Sequence, residues 1–298
     1  MEAYDIVISD QDSEDLSTRI AKLLDLQSSR VGITRFHDGE FKMRFENPNM
    51  GGKNIVLVHR LFPNPGDKTL ELLLLCRKLS RDGARIHAVL PYISYARQDR
   101  EFLEGEIATI GVLADILQSC GVASITTIDM HSAAGLARFT VPVANLSGSE
   151  MLSDYIISKG LAPKPVVISP DKGGAARAQA MAERLSAPSF SLEKHRDRTT
   201  GEVTTAASEI PVKGMDAIIS DDMVVTGSSM VNAVKILKGN GARSVTVAVT
   251  HGLFLDNAGK RIMDAGASEI ISTNTLPNEY SKVDVSETIS KSLLAGTG

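Results

Sequence analysis

The stretches LCRKLSRDGARIHAVLPYI at residues 75–93 and VKILKGNGARSVTVAVTHG at residues 234–252 follow one pattern: a helical-period segment, Gly-Ala-Arg, then an apolar β-branched run. Their shared glycines, Gly83 and Gly241, stand 158 positions apart. Two further matches keep the same order. GVASITTID from Gly121 pairs with GASEIISTN from Gly266 at a spacing of 145, and IVISD from Ile6 pairs with VVISPD from Val166 at a spacing of 160. Three ordered matches at similar spacing read as one α/β unit present twice, with its junction near residue 145. Two generic α/β segments are the plainer alternative.

Outward from these stretches, short β-branched runs alternate with helical-period segments along the whole chain, the pattern of an α/β fold with mostly parallel strands. Strands are expected at 4–9, 31–36, 54–59, 85–90, 124–129, 165–169, 188–192, 216–221, 244–250 and 268–273, and helices near 13–25, 67–82, 106–120, 148–159, 173–186, 228–240 and 256–266. The expected domains are 1–145 and 146–298, which suits 298 residues at about 150 per domain.

Composition narrows the function. The chain has 32 Lys+Arg against 36 Asp+Glu, a formal net charge of −4, which argues against broad binding of nucleic acid or anionic membrane. An anionic ligand must therefore be held by a few placed groups. Aromatic residues are 4% with no Trp, which argues against base-stacking platforms. The two cysteines, Cys76 and Cys120, each lie in an apolar helical stretch, so neither a disulfide framework nor a cysteine zinc site is expected and a reducing cytoplasm fits best. No apolar run approaches the roughly 18 residues of a membrane span, and the N-terminus lacks the pattern of a signal peptide.

The chemistry gathers where the halves differ. The second half has AIISDDMVVTGSSM where the first has IVLVHRLFPNPGDK, so the acidic pair Asp221 and Asp222 and the loop Val225, Thr226, Gly227, Ser228 and Ser229 exist once. An apolar strand, two carboxylates, a small-residue loop and a helix start offer acceptors for sugar hydroxyls and free N–H groups for a phosphate. Read alone, the segment is equally an acidic turn followed by a serine helix cap. Lys194 and Arg196 stand two apart in EKHRD, so in an extended segment both point to one side; the plainer reading is a solvated strand end. The polar DRTTGEV that follows could close over phosphates. His59 and His87 read as satisfied core residues, and His251 as shaping the floor of the site.

The acidic loop resembles the ribose-phosphate loop of the phosphoribosyltransferase-type fold. FHDGE from Phe36, PYISYARQDR from Pro91, DMHS from Asp129, SPDKGGAARA from Ser169, EKHR from Glu193 and THGLF from Thr250 resemble, in order, the motifs of the ribose-phosphate pyrophosphokinase (phosphoribosyl diphosphate synthetase) family. The resemblance spans nearly the whole chain. It implies two tandem phosphoribosyltransferase-like domains, each a mostly parallel sheet flanked by helices. It also implies transfer of the β,γ-diphosphate of ATP to the anomeric hydroxyl of ribose 5-phosphate, with release of AMP. Family correspondence makes Lys194 the catalytic lysine with Arg196 its partner, and places Phe36, Asp38, Gly39, Glu40, Arg97, Gln98 and His131 at ATP. It places Arg196, Asp221, Asp222 and Val225 to Ser229 at ribose 5-phosphate, and His131 and Asp171 at Mg²⁺, with His131 contacting the nucleotide as the alternative. Gly173 and Gly174 would let the backbone approach the sugar phosphate, with Arg177 one turn into the following helix. The Asp-Gly-Glu turn of relatives reaches a neighbouring subunit's site, which implies a homo-oligomer with a shared ATP site.

Several positions depart from the family pattern. Val225 stands where many relatives have Asp, Ser228 where a loop glycine is usual, His195 for an Arg and Ser94 for a Gly, and the tail after Pro277 is short. These departures bear on phosphate activation and nucleotide inhibition more than on catalysis. Two competing functions remain at this stage: a catalytically silent homologue with a regulatory or nucleotide-binding role, and a phosphoribosyltransferase that consumes the diphosphate product.

Overall fold

A computed structural model of the chain describes residues 3–196, 203–206 and 210–296. The chain divides into two compact units, 1–146 with 286–298, and 147–285. The first unit contains β1 (Ile6–Ser9), α1 (Glu14–Leu24), β2 (Gln27–Arg35), β3 (Phe41–Phe45), β4 (Asn54–Val58), α2 (Pro65–Arg81), β5 (Arg85–Val89), α3 (Thr109–Ser119), β6 (Val122–Ile128), α4 (Ala133–Leu136) and β7 (Val143–Leu146). The second contains α5 (Gly148–Lys159), β8 (Pro165–Ser169), α6 (Ala175–Leu185), β9 (Ser189–Ser191), β10 (Glu193–Arg196), β11 (Val203–Ala206), β12 (Asp216–Val224), α7 (Ser228–Gly239), β13 (Ser244–Gly252), α8 (Ala258–Asp264), β14 (Glu269–Thr273) and β15 (Ser281–Val283). The last helix, α9 (Ser286–Ala295), returns to the first unit.

The first sheet runs β3-β2-β1-β4-β5-β6-β7 and the second β15-β14-β13-β12-β8-β9. Every pairing within them is parallel except that of β2 with β3. Counting strands in chain order and setting β3 aside, both sheets have the order 2-1-3-4-5-6. The three sequence matches fall on strands of equal rank: β1 with β8, β5 with β13, and β6 with β14. The repeat is therefore structural.

Period-2 alternation explains why these strands are apolar throughout. In the second unit Val166, Ile168, Ala217, Ile219, Val245 and Val247 pack under α7 and α8 with Val234, Leu237 and Ile262. The alternate residues Val167, Ile218, Ala248 and Ile271 pack on the other face with Leu152, Ile156, Ala178 and Met181 of α5 and α6. In the first unit Ile6, Ile8, Ile55, Leu57, Ile86 and Ala88 meet Leu72, Leu75 and Leu79 of α2 and Ile110, Leu113 and Leu117 of α3. Helix boundaries follow local signals. Ser147 accepts the Glu150 N–H at 3.2 Å to start α5, and Gly160 ends it at φ +61°.

Among the elements absent from the sequence reading, β3, β7 and β15 are sheet-edge strands. β3 alternates half-buried and exposed positions, so its FKMRF run carries no continuous apolar signal. β15 is three residues long. The segment 286–298, read with the second half, belongs to the first unit because α9 buries Ile289 and Leu293 there and packs on α1. β12 extends to Val224, so the acidic pair lies inside the strand rather than after it. No helix among the described residues is long and apolar enough to cross a membrane.

Candidate active site

The acidic pair sits at the carboxyl end of β12, the edge where parallel sheets place ligands. Two features of β8 face it. The buried Ser169 hydroxyl donates to the Asp171 carbonyl at 2.6 Å, and Asp171 Oδ1 accepts the N–H groups of Gly173 at 3.0 Å and Gly174 at 3.3 Å. Asp171 thus caps the turn that opens α6. Gly174 is required by space: a Cβ there would lie 2.6 Å from Ser169 Oγ and 3.7 Å from Asp221 Oδ1. One turn along, Arg177 Nη1 lies 3.5 Å from Asp221 Oδ1 and 3.6 Å from Asp222 Oδ1.

The pair is electrostatically strained. Burial, and then the neighbouring Asp222 carboxylate, push the Asp221 carboxyl up to about 7, against the opposing pull of Arg177. The Asp222 N–H donates to Asp221 Oδ1 at 2.9 Å. Near neutral pH this site is poised to accept hydrogen bonds from vicinal hydroxyls or to share a cation.

Beyond the pair, the loop turns at Gly227, whose φ of +75° suits glycine. A Cβ at Gly227 would also meet Ala258 Cβ at 3.0 Å and Ile262 Cδ1 at 3.2 Å on α8. Gly227 is the N-cap of α7 and offers no side-chain cap, so the first N–H groups of that helix face the loop. Thr226, Ser228 and Ser229 are exposed there. Together these make an anion cradle beside two carboxylates. Ser228 needs no unusual backbone, because it is the first helical residue and the left-handed position belongs to Gly227. Val225 contributes its carbonyl, which accepts the Leu255 N–H at 2.9 Å.

Lys194 and Arg196 occupy β10, which pairs antiparallel with β11 as Lys194 to Thr205 and Arg196 to Val203. The strand alternation puts positions 194 and 196 on one face of this ribbon. Their side chains and the segment 197–202, expected to close over phosphates, lie outside the described residues.

In the first unit two motifs converge. Ser132, which caps α4 by accepting the Gly135 N–H at 3.0 Å, donates to Asp99 Oδ2 at 2.5 Å. This ties the DMHS loop carrying His131 to the ARQD run carrying Arg97 and Gln98, both exposed. Gln98 Oε1 accepts the Thr109 hydroxyl at 2.6 Å. Phe36, Asp38, Gly39 and Glu40 form the β2–β3 turn, closed by Phe36 N–H to Glu40 O at 2.8 Å and by Glu40 N–H to Asp38 Oδ1 at 3.0 Å. Gly39 stands at φ +93°, as that turn demands. The turn and His131 share the carboxyl edge of the sheet, yet β2 and β6 are four strand steps apart, about 19 Å. One unit does not bring them together.

Sequence reasoning gave Arg177 no part in holding the acidic pair; its signal was an arginine three residues after Gly-Gly at a helix start. His251 is buried, with Nδ1 2.9 Å from Thr275 Oγ1. His87 is satisfied by Ser124, Thr126 and Tyr4, and burial lowers its pKa to about 4. His59 is not satisfied: Nε2 lies 2.9 Å from the Lys68 carbonyl, but Nδ1 has no hydrogen-bond partner.

Comparison with known proteins is consistent from end to end. Residues 6–121 match the N-terminal domain of ribose phosphate pyrophosphokinase, and residues 207–296 match the phosphoribosyl synthetase-associated domain. The ribose-phosphate pyrophosphokinase of Sulfurisphaera tokodaii is 33% identical over 293 residues, covering 97% of this chain and 100% of that one. That of Wolinella succinogenes is 36% identical over 270 residues, covering 89% and 86%. The crystal structure of phosphoribosylpyrophosphate synthetase from Mycobacterium smegmatis superposes with a TM-score of 0.87 at 29% identity, covering 98% of each chain.

Proposed function

The chain belongs to the ribose-phosphate pyrophosphokinase family, an enzyme family of diphosphate transfer, and from that premise we propose that it moves the β,γ-diphosphate of Mg-ATP to the anomeric hydroxyl of ribose 5-phosphate. The products are 5-phosphoribosyl 1-diphosphate and AMP. The observation that carries this reading is the α7 N-terminus, which has no side-chain cap and lies beside the acidic pair, a shape that takes a phosphate at one end and sugar hydroxyls at the other.

The 5-phosphate rests on the α7 N–H groups and on the hydroxyls of Thr226, Ser228 and Ser229. Asp221 and Asp222 accept from the ribose hydroxyls, and Gly174 leaves room for the ring. The anomeric hydroxyl oxygen then attacks the β-phosphorus and gives up its proton to water, the bond from β-phosphorus to the AMP oxygen breaks, and the electron pair leaves with AMP. Such transfers are accelerated mainly by positioning and charge stabilisation. Lys194 and Arg196, two apart on one strand face, supply positive charge to the transferring group. Arg97, Gln98 and His131 hold the nucleotide phosphates and ribose.

Mg²⁺ suits the donor set in part. Asp171 is an oxygen ligand of the kind Mg²⁺ prefers, with Oδ1 already engaged by two N–H groups, whereas the imidazole of His131 is softer than that ion favours. Bound at Asp171 with phosphate oxygens and water, the ion would neutralise developing phosphate charge. A homo-oligomer that shares the ATP site belongs to the same reading, in which the 36–40 turn reaches the nucleotide of a neighbouring subunit. A cytoplasmic location accords with the free thiols Cys76 and Cys120.

The test is incubation with ATP, Mg²⁺ and ribose 5-phosphate, read as AMP release. No AMP at any phosphate concentration would refute the assignment and favour a silent homologue. Consumption of the diphosphate with a nucleobase would instead mark a phosphoribosyltransferase.

A further inference from the structure

The duplication lets the first unit be read position by position against the second. β1 pairs with β4 as Ile6 to Ile55 and Ser9 to Val58, and β8 pairs with β12 as Val166 to Ala217 and Ile168 to Ile219. Carried to the strand ends, this register sets His59 against Asp221 and Arg60 against Asp222. Asp10 and Asp171 both stand as the N-cap of the short turn before the next helix. Asn64 and Gly227 are both left-handed N-caps, of α2 and α7. The first unit therefore has a position of the same origin as the acidic site.

That position is occupied by a side chain of the chain itself. Lys68, in the first turn of α2, places Nζ 2.7 Å from Asp10 Oδ2 and 3.1 Å from Glu71 Oε2, and it also ion-pairs with Asp12. The Asp10 and Glu71 side chains are fully buried. Arg35 reaches Glu71 from the other side, with Nη2 2.7 Å from Oε1. One ammonium does not satisfy everything it faces. Asp10 Oδ1 and His59 Nδ1 have no hydrogen-bond partner, and Glu71 Oε2 has only the ion-pair contact.

All three are acceptors. His59 Nε2 faces a carbonyl oxygen, so it carries the proton, and the bare nitrogen is Nδ1, 3.8 Å from Asp10 Oδ2. Burial holds this imidazole neutral. Two carboxylates and one imidazole offer ligand atoms within 4.8 Å of one another, all on fully buried residues. Such a set, completed by water, is of the type that binds zinc or cobalt(II).

We propose that the first unit keeps a degenerate copy of the second unit's site in which the Lys68 ammonium is the resident cation, and that Asp10, His59 and Glu71 bind a divalent transition metal once that ammonium is removed. The wild-type protein reserves this position for its own side chain. Bound ligand is thereby confined to one site per chain, although the fold supplies two.

The experiment uses untagged full-length protein and cobalt(II) alone, followed by equilibrium dialysis and visible absorption. Wild type is expected to take up no cobalt at this position. Lys68→Ala should bind one cobalt ion per chain more than wild type, with a d–d band, and adding His59→Ala should weaken that extra binding at least about tenfold, the low end of what loss of even a ligand's supporting partner costs. Should Lys68→Ala unfold without metal, cobalt must restore its circular dichroism and melting transition. Absence of cobalt binding to Lys68→Ala, failure of cobalt to restore its fold, or binding that survives His59→Ala would each overturn the proposal.

Discussion

Asp216→Asn separates the stability of the second unit from its chemistry. Asp216 begins β12 and is 3% exposed. Its carboxylate accepts four hydrogen bonds: from the Lys164 N–H at 2.9 Å, Arg243 Nε at 2.8 Å, the Ser244 hydroxyl at 2.7 Å, and Arg243 Nη2. It therefore joins the amino ends of β8, β12 and β13. The Arg243 guanidinium, helped by the Lys164 N–H and the Ser244 hydroxyl, holds the carboxyl at about 2 against an ordinary 3.8. A shift of that size is at most about 2.5 kcal/mol, and with Arg243 46% exposed, solvent screening reduces the expected value to about 1.5 kcal/mol.

Because the folded pKa lies below the unfolded one, this stabilisation is complete above pH 4 and disappears as pH falls toward 2. Asn and protonated Asp each lose one acceptor oxygen, so mutant and wild type should converge in acid. Urea unfolding followed by circular dichroism at pH 7.5, 4 and 2.5 measures the difference. Asp221 is five residues further along the strand, about 17 Å away, so kcat/KM should not change. A stability loss that is the same at every pH, no loss at pH 7.5, or a matching loss of activity would refute the reasoning.

Four further outcomes bear on the site. Lys194→Ala should lower kcat about a thousandfold while ATP affinity, read by calorimetry, changes little; an equal loss of both would make it a binding residue. With the Asp221 carboxyl at about 7, kcat/KM for ribose 5-phosphate should fall as pH drops below neutrality, to about a tenth of its plateau by pH 6. Arg177→Met, which removes the opposing cation, should move that limb of the pH profile upward, and an unmoved limb would contradict the role given to Arg177. Gly174→Ala puts a Cβ 2.6 Å from Ser169 Oγ and should raise KM for ribose 5-phosphate at a stability cost of about 1–3 kcal/mol, both measurable in one preparation.

The duplication, the ten principal strands and the single occurrence of the acidic loop were all legible in the chain, because each rests on local periodicity or on comparison of one half with the other. Apolar strands buried on both faces announce themselves; half-exposed edges do not. For that reason β3, β7 and β15 became visible only in three dimensions, and so did the return of α9 to the first unit. The site divides in the same way. Asp221, Asp222 and the loop to Ser229 are contiguous, so their pattern survives in one dimension.

The Arg177 bridge spans 44 residues, and the rise of the Asp221 pKa depends on burial and on a neighbouring carboxylate at a particular depth. Lys68 carries no signal of its own in the expected helix 67–82, yet tertiary packing draws its ammonium between two buried carboxylates. Sequence by itself determined which elements form and where the chemistry must lie. Only the tertiary structure decided which charges face one another, because desolvation and Coulomb attraction act across distances that chain order does not record.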